Sequence, residues 1–258
     1  MTDGLRVDVD GPVATLTLDR PEALNALTVA VKVALREALE RIAADRTVRV
    51  VILTGAGRAF CAGLDLKELG SRDSQPLGAF TDADMMAAIR GFPGPVIGAV
   101  NGFAITGGFE LALACDLLIA SSEARFADTH ARVGILPGWG LSQKLPRLIG
   151  IGRAKELAFT GNFIGAEQAL AWGLVNRVVA PAELLATCRQ LAADMLSCDA
   201  VSLRGYKQLI DAGFATTFQA GLRLEARASR DHAKAITPEI VATRRGAVQE
   251  RGRRQTGG

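Results

Sequence analysis

Val100-Asn101-Gly102-Phe103-Ala104-Ile105-Thr106-Gly107-Gly108-Phe109-Glu110-Leu111-Ala112-Leu113-Ala114-Cys115-Asp116 follows an apolar run over 95–100 that reads as a buried strand. The chain then turns through Gly107-Gly108 into an Ala/Leu-rich helix that carries one acid, Glu110. Glycines at a helix start let bare backbone N–H groups face a ligand, with the positive end of the helix dipole behind them. Such a turn suits a phosphate, a carboxylate, or an oxygen that becomes negative during a reaction. Glu110, one turn further in, would sit close to whatever those N–H groups hold. An acid beside an anion site suggests proton transfer rather than anion binding. Taken alone, a glycine turn before a helix is more often structural.

A second stretch repeats the arrangement. Strand-like Val48-Arg49-Val50-Val51-Ile52-Leu53 runs into Thr54-Gly55-Ala56-Gly57-Arg58-Ala59-Phe60-Cys61-Ala62-Gly63-Leu64-Asp65-Leu66-Lys67-Glu68-Leu69. This is again a strand, a small-residue loop and a helix start, with Asp65 placed as the helix cap. The pair, Phe-Cys-Ala-Gly-Leu-Asp-Leu-Lys followed by Asn-Gly-x-Ala-x-x-Gly-Gly-x-Glu-Leu, closely resembles the crotonase (enoyl-CoA hydratase/isomerase) superfamily. The resemblance runs from about residue 5 to 248, and the two motifs in this order are specific to it.

Composition sets independent bounds. With 258 residues and 49% hydrophobic content, the chain can bury a full core as one large domain, or one plus an appendage. A formal net charge of +3 is too small to argue for nucleic acid. Cys61, Cys115, Cys188 and Cys198 show neither paired nor metal-ligand spacing, which fits reduced thiols in a cytoplasm. The first residues carry no basic-plus-apolar leader, and no apolar run approaches ~20 residues. A cytoplasmic protein with no membrane association is expected.

In chain order, 5–9 and 13–18 alternate apolar and polar residues around Asp10-Gly11, a hairpin signal. Thr28 caps a helix over 29–44, with Val29, Val33, Leu35, Leu39 and Ile42 roughly at helical spacing. The polar segment 71–80 reads as a mobile loop, and Asp82 starts a short helix to Arg90. Beyond the central helix, 117–120, 125–127 and 175–179 read as strands, 133–140 as a loop, and 141–148, 153–160 and 166–171 as helices. From Pro181 onward the pattern is helical. Strands alternating with helices, then helices only, predict an α/β core, 1–195, followed by a C-terminal all-helical region, 196–258.

The resemblance makes that core a crotonase-like spiral of ββα turns, and the C-terminal helices a device that packs subunits into a homotrimer or a dimer of trimers. It implies an acyl-CoA substrate whose thioester carbonyl lies between two backbone N–H groups, here those of Leu64 and Gly107. Ala23, Leu24, Ala62, Asp65, Leu66 and Lys67 would line the nucleotide and pantetheine path. Lys67 reads equally as a phosphate partner or a solvated charge. Arg244 and Arg245 lie where the last helix of the family can reach a ligand. Asn101 and Asp116 read as structural polar groups at loop and helix ends. Coenzyme A belongs to the substrate, so no cofactor and no metal are expected.

Glu110 matches the first of two acids that a hydratase of the family uses, one acting on water for attack at Cβ, the other exchanging a proton with Cα. Aligned through Phe126 and Pro137-Gly138, the second acid position holds His130 instead of a glutamate. Histidine exchanges protons near neutral pH, so a Glu110/His130 pair could still hydrate an enoyl-CoA. A lone histidine is otherwise commonly a hydrogen-bonded structural residue. Asp128 would point to the opposite side if the segment is extended. Thr106 also replaces a frequent glycine, and Trp139-Gly140-Leu141 is bulkier than the usual turn. The expected activity is enoyl-CoA hydration. The alternatives are another reaction of the superfamily (thioester hydrolysis, C–C cleavage, decarboxylation or isomerisation) or a non-catalytic acyl-CoA binder.

Overall fold

The structure is a computed structural model that describes residues 4–70 and 84–256, so the expected loop over 71–80 and helix start at Asp82 lie outside the described residues. Two units divide between Ala200 and Val201. The first opens with the hairpin β1 (Leu5–Asp10) and β2 (Val13–Leu18), then α1 (Val29–Ala44). A strand-strand-helix unit follows three times. Its members are β3 (Val50–Gly55), β4 (Ala59–Cys61) and α2 (Leu66–Gly70), with α3 (Asp84–Gly91) added; β5 (Val96–Val100), β6 (Phe103–Ile105) and α4 (Gly107–Ala114); and β7 (Leu117–Ser121), β8 (Arg125–Ala127) and α5 (His130–Val133). The unit closes with α6 (Leu141–Ile149), α7 (Ile151–Thr160), β9 (Ile164–Gly165), α8 (Ala166–Ala171), β10 (Arg177–Val179) and α9 (Leu184–Leu196).

The first strands of the three turns pair in parallel, β3 with β5 and β5 with β7, inside a six-stranded sheet ordered β1-β2-β3-β5-β7-β10. Their second strands also pair in parallel, β4 with β6 and β6 with β8, in a four-stranded sheet closed by β9. This is the expected spiral of ββα turns. The turns differ in length, which is why no repeat of fixed period shows in the sequence.

Strands buried on both faces read as unbroken apolar runs. Alternate residues of β3 supply two different cores: Val51 and Leu53 join the main one with α1, α3 and α4, while Val50 and Ile52 pack with Ile97, Ile119 and the α9 residues Leu184, Cys188 and Ala192. The Thr28 side chain accepts a hydrogen bond from Val31 N at 3.2 Å and starts α1, a cap worth ~1 kcal/mol. The inner face of α1 is Val31, Leu35, Ala38, Leu39 and Ile42. Val33, expected there, lies 38% exposed, because the stripe runs through Val31 instead.

Asn101 and Asp116 hold loop ends, as expected. Asn101 accepts from Gly55 N and donates to Gly57 O and Ala59 O; Asp116 accepts from Val96 N at 2.7 Å. The second unit is helical throughout, with α10 (Ala200–Phe214), α11 (Phe218–Ala233) and α12 (Pro238–Thr256). No helix among the described residues is long and apolar enough to cross a membrane.

Candidate active site

Two loops at the ends of successive turns meet because glycine lets them. Gly63 has φ +97°, a conformation that side chains disfavour, and a Cβ there would lie 3.2 Å from Gly107 N. A Cβ on Gly108 would fall 1.9 Å from Cys61 O, so only glycine allows α4 to start this close to β4. Leu27 N donates to Gly63 O at 2.7 Å, and Leu27 O accepts from Asp65 N at 3.1 Å. Peptides of an extended segment alternate in direction, so the Leu64 N–H between them faces the other way. Gly107 N, at the first position of α4, lies beyond the reach of an intrahelical acceptor. Leu64 and Gly107 both line a cavity of about 340 Å³.

Glu110 projects into the same cavity from the first turn of α4 and is 3% exposed. Burying a carboxylate is costly unless hydrogen bonds replace water. Its Oε1 accepts from Trp139 N at 2.7 Å and Leu141 N at 3.3 Å. That pins one oxygen and leaves Oε2 facing His130 Nε2 at 3.4 Å. The far side of the imidazole is also engaged, with Nδ1 2.7 Å from Asp128 Oδ1.

This overturns the expectation for Asp128. Thr129 has φ −101° and ψ 13°, a turn into α5, so Asp128 and His130 project to one side where an extended segment would separate them. Asp128 also accepts from His130 N at 3.2 Å, the local hydrogen bond by which Asp residues make turns. All three side chains are at least nine-tenths buried. Burial works against a charged imidazole, yet the hydrogen bonds and charges of Asp128 and Glu110 outweigh it and hold the His130 pKa up at about 9.

The segments carrying Glu110 and His130 are stitched together just before both residues. Thr106 N donates to Ala127 O at 2.9 Å, Thr129 N donates to Thr106 Oγ1 at 3.3 Å, and the two threonine hydroxyls share a short hydrogen bond. Thr106 sits at φ +53°, ψ −112°, a conformation costing ~1–3 kcal/mol for a residue with a side chain. The hydroxyl bonds help to offset that cost. Beneath, Phe109 and Phe126 pack at 5.4 Å between ring centroids.

The remaining expected site residues are spread. Ala62 and Leu66 line the cavity. Leu24 has φ 52° and connects to it through Ala62 N, which donates to Leu24 O at 3.0 Å; Ala23 ends the short helical turn before it. Asp65 is outside the cavity lining. Its Oδ2 pairs with Arg20 at 3.0 Å, and its Oδ1 accepts from Lys67 N and Glu68 N, so it caps α2. Lys67 is exposed on that helix. Apolar lining that sequence reading missed comes from Leu69, Val133, Ile135 and Leu136, the last 88% exposed at the rim. Also missed were the backbone donors of Trp139 and Leu141. Among the described residues, no three or more His, Cys, Asp or Glu side chains are arranged to hold a metal ion.

Comparison with known proteins bears on this geometry. Residues 8–237 match the family model described as enoyl-CoA hydratase/isomerase. The chain is 41% identical over 231 residues to "Probable enoyl-CoA hydratase 1, peroxisomal" of Arabidopsis thaliana, covering 89% of this chain and 86% of that protein. It is 40% identical over 226 residues to the short-chain-enoyl-CoA hydratase of Clostridium acetobutylicum, covering 86% of each. A crystal structure of enoyl-CoA hydratase from Bacillus anthracis superposes with a TM-score of 0.85 at 38% identity, covering 88% of this chain and 90% of that one.

Proposed function

The chain belongs to the enoyl-CoA hydratase/isomerase family, and from that premise we propose how its cavity works. The protein is an enoyl-CoA hydratase-like enzyme of the crotonase superfamily, a lyase acting on acyl-CoA thioesters. In our reading the thioester carbonyl of a 2-enoyl-CoA accepts hydrogen bonds from Leu64 N and Gly107 N. Preorganised donors at an oxygen that gains charge are worth ~3 kcal/mol each at the transition state. Water attacks Cβ and gives a proton to Glu110 Oε2, forming the Cβ–O bond. The resulting enolate takes a proton at Cα from His130 Nε2. Transfer of the proton from Glu110 to the neutral imidazole, across the 3.4 Å between them, restores the starting state. The balance is one water added and no group consumed.

The observation that carries this reading is the Glu110–His130 pair, held on the wall of the cavity that both candidate N–H donors line. No cofactor is required, since coenzyme A arrives with the substrate. Ala62 and Leu66 border the path for the thioester arm, with Lys67 at its exposed end for a phosphate. We assign the enzyme to fatty acid metabolism in a cytoplasm. We also propose a homotrimer or dimer of trimers: α10 exposes Tyr206, Ile210 and Phe214 at four-residue spacing, a stripe suited to a partner. Decay of crotonyl-CoA absorbance, repeated across chain lengths, tests the chemistry. Tight acyl-CoA binding without decay for any chain would replace it with a non-catalytic binder. Light scattering at micromolar concentration tests the assembly, and a monomeric mass would refute it.

A further inference from the structure

We infer that Asp128 is a positioning residue, which fixes His130 through Nδ1 and so turns a proton-bearing Nε2 toward Glu110 and the cavity. This deepens the hydratase reading and rests on it. An imidazole has two nitrogens, and the partner of one decides what the other can do. Asp128 Oδ1, ionised, can only accept, so at 2.7 Å it requires a proton on Nδ1. A neutral ring with that proton would present a bare Nε2 to the Glu110 carboxylate, acceptor against acceptor. The doubly protonated ring satisfies both carboxylates at once. It is also the form that can give a proton to Cα.

Among the described residues, the charged side chains paired with the imidazole are Glu110, from α4, and Asp128, from the turn before α5. Arg132, on α5 itself, donates from Nε to Thr160 O at 2.7 Å. Thr106 and Thr129 are neutral neighbours on the same cavity wall and hydrogen-bond each other. With Asp128 and Glu110 as the carboxylates that hold the proton on His130, removing one should release it at lower pH. A purely structural Asp128, serving only to turn the backbone through His130 N, would have no such effect.

Asp128→Asn separates these roles, because the amide keeps an acceptor for His130 N and for Nδ1–H but lacks the charge. Two measurements apply: the ring ¹⁵N titration of His130, assigned against a His130→Gln variant, and the pH profile of kcat/KM for crotonyl-CoA. In the parent, both ring nitrogens should be protonated at pH 7, and above pH 7 activity should fall as pH rises through about 9. In Asp128→Asn both midpoints should move down by at least ~1 pH unit toward the ordinary ~6.5. Loss of rate by the same factor at every pH, with the ring titration unmoved, would overturn the inference and leave the hydratase reading standing. A parent that titrates as expected but does not hydrate any enoyl-CoA would fail the hydratase reading alone. Should Asp128→Asn not fold, the parent decides: a His130 midpoint at or below ~6.5 overturns the assignment.

Discussion

The Leu64–Gly107 edge of the cavity and the Glu110–His130 edge differ in which atoms would carry the proposed chemistry. On the first edge the proposed working groups are backbone N–H donors, and side chains would matter only by leaving room for them. On the second edge they are side-chain atoms, each oriented by another group: Glu110 by two backbone N–H donors, His130 by Asp128. Substitutions should therefore act oppositely on the two edges. On the backbone edge a change matters when it alters N–H position. On the side-chain edge it matters when it alters protons or charge, even with shape conserved.

Glu110→Gln is the sharpest test, since it conserves shape and should cost the most. Its amide oxygen can still accept from Trp139 N and Leu141 N, so the fold should survive. Its NH₂ would then face His130 Nε2–H, donor against donor, and no group would remain to take the water proton. Loss of a general acid–base group costs ~10²–10⁴-fold, and the upper end is expected for kcat with crotonyl-CoA. A loss below about tenfold would transfer the chemistry to another residue.

Gly107→Pro attacks the other edge. Proline removes the N–H and fixes φ, and it demands extended geometry from Thr106, which sits at ψ −112°. Loss of ~10²–10³-fold is expected from the missing donor alone. Circular dichroism must show the fold intact; undiminished turnover in a folded variant would remove Gly107 from the site.

The third test reads charge through stability. The folded-state pKa of His130 is raised to about 9, above an unfolded value of ~6.5. Its contribution is therefore fully present below pH ~6.5 and is lost as pH rises through about 9, at most on the order of 3 kcal/mol. Urea unfolding should show the parent losing more stability than His130→Gln between pH 6 and 9.5. Equal slopes would mean that the buried carboxylates do not charge the ring.

The same contrast explains what is legible in the sequence. Glycines at 63, 107 and 108 mark where backbones approach, and such contacts leave a residue-type signature, so residue type points to the two loops, while the family resemblance is what assigns the Leu64 and Gly107 N–H groups as donors. The long strands are legible for a similar reason, since burial on both faces forces unbroken apolar runs. Sequence alone misplaces Asp128 because its direction depends on one pair of torsions at Thr129, and nothing in the local composition forbids an extended segment there. Its separation from His130 by one residue is the available signal, recognisable only once a turn is assumed. The role of Trp139 and Leu141 is hidden for another reason: their backbone, not their side chains, meets Glu110. Of the strands of two or three residues, β8 and β10 are read from the sequence while β4, β6 and β9 escape notice.

The smallest effect is expected at Leu64, and it bears most directly on the backbone edge. The leucine side chain is half-buried and lines the cavity, while the atom assigned to the carbonyl is its amide nitrogen. Leu64→Ala keeps that nitrogen, and the flanking bonds Leu27 N to Gly63 O and Asp65 N to Leu27 O involve backbone only. The N–H should therefore stay in place. Removing a partly exposed branch costs less than the ~2–5 kcal/mol of a fully buried Leu→Ala change, so the protein should remain folded. For crotonyl-CoA the change in kcat should stay under about tenfold, which is about 1.4 kcal/mol in the barrier. The enlarged wall should instead raise kcat/KM for longer or branched acyl chains relative to crotonyl-CoA, since a methylene in an apolar pocket is worth ~1–3 kcal/mol. Loss of activity with every acyl chain, in a variant whose fold and Gly107 loop are intact, would mean that the leucine side chain itself holds the reacting group in place.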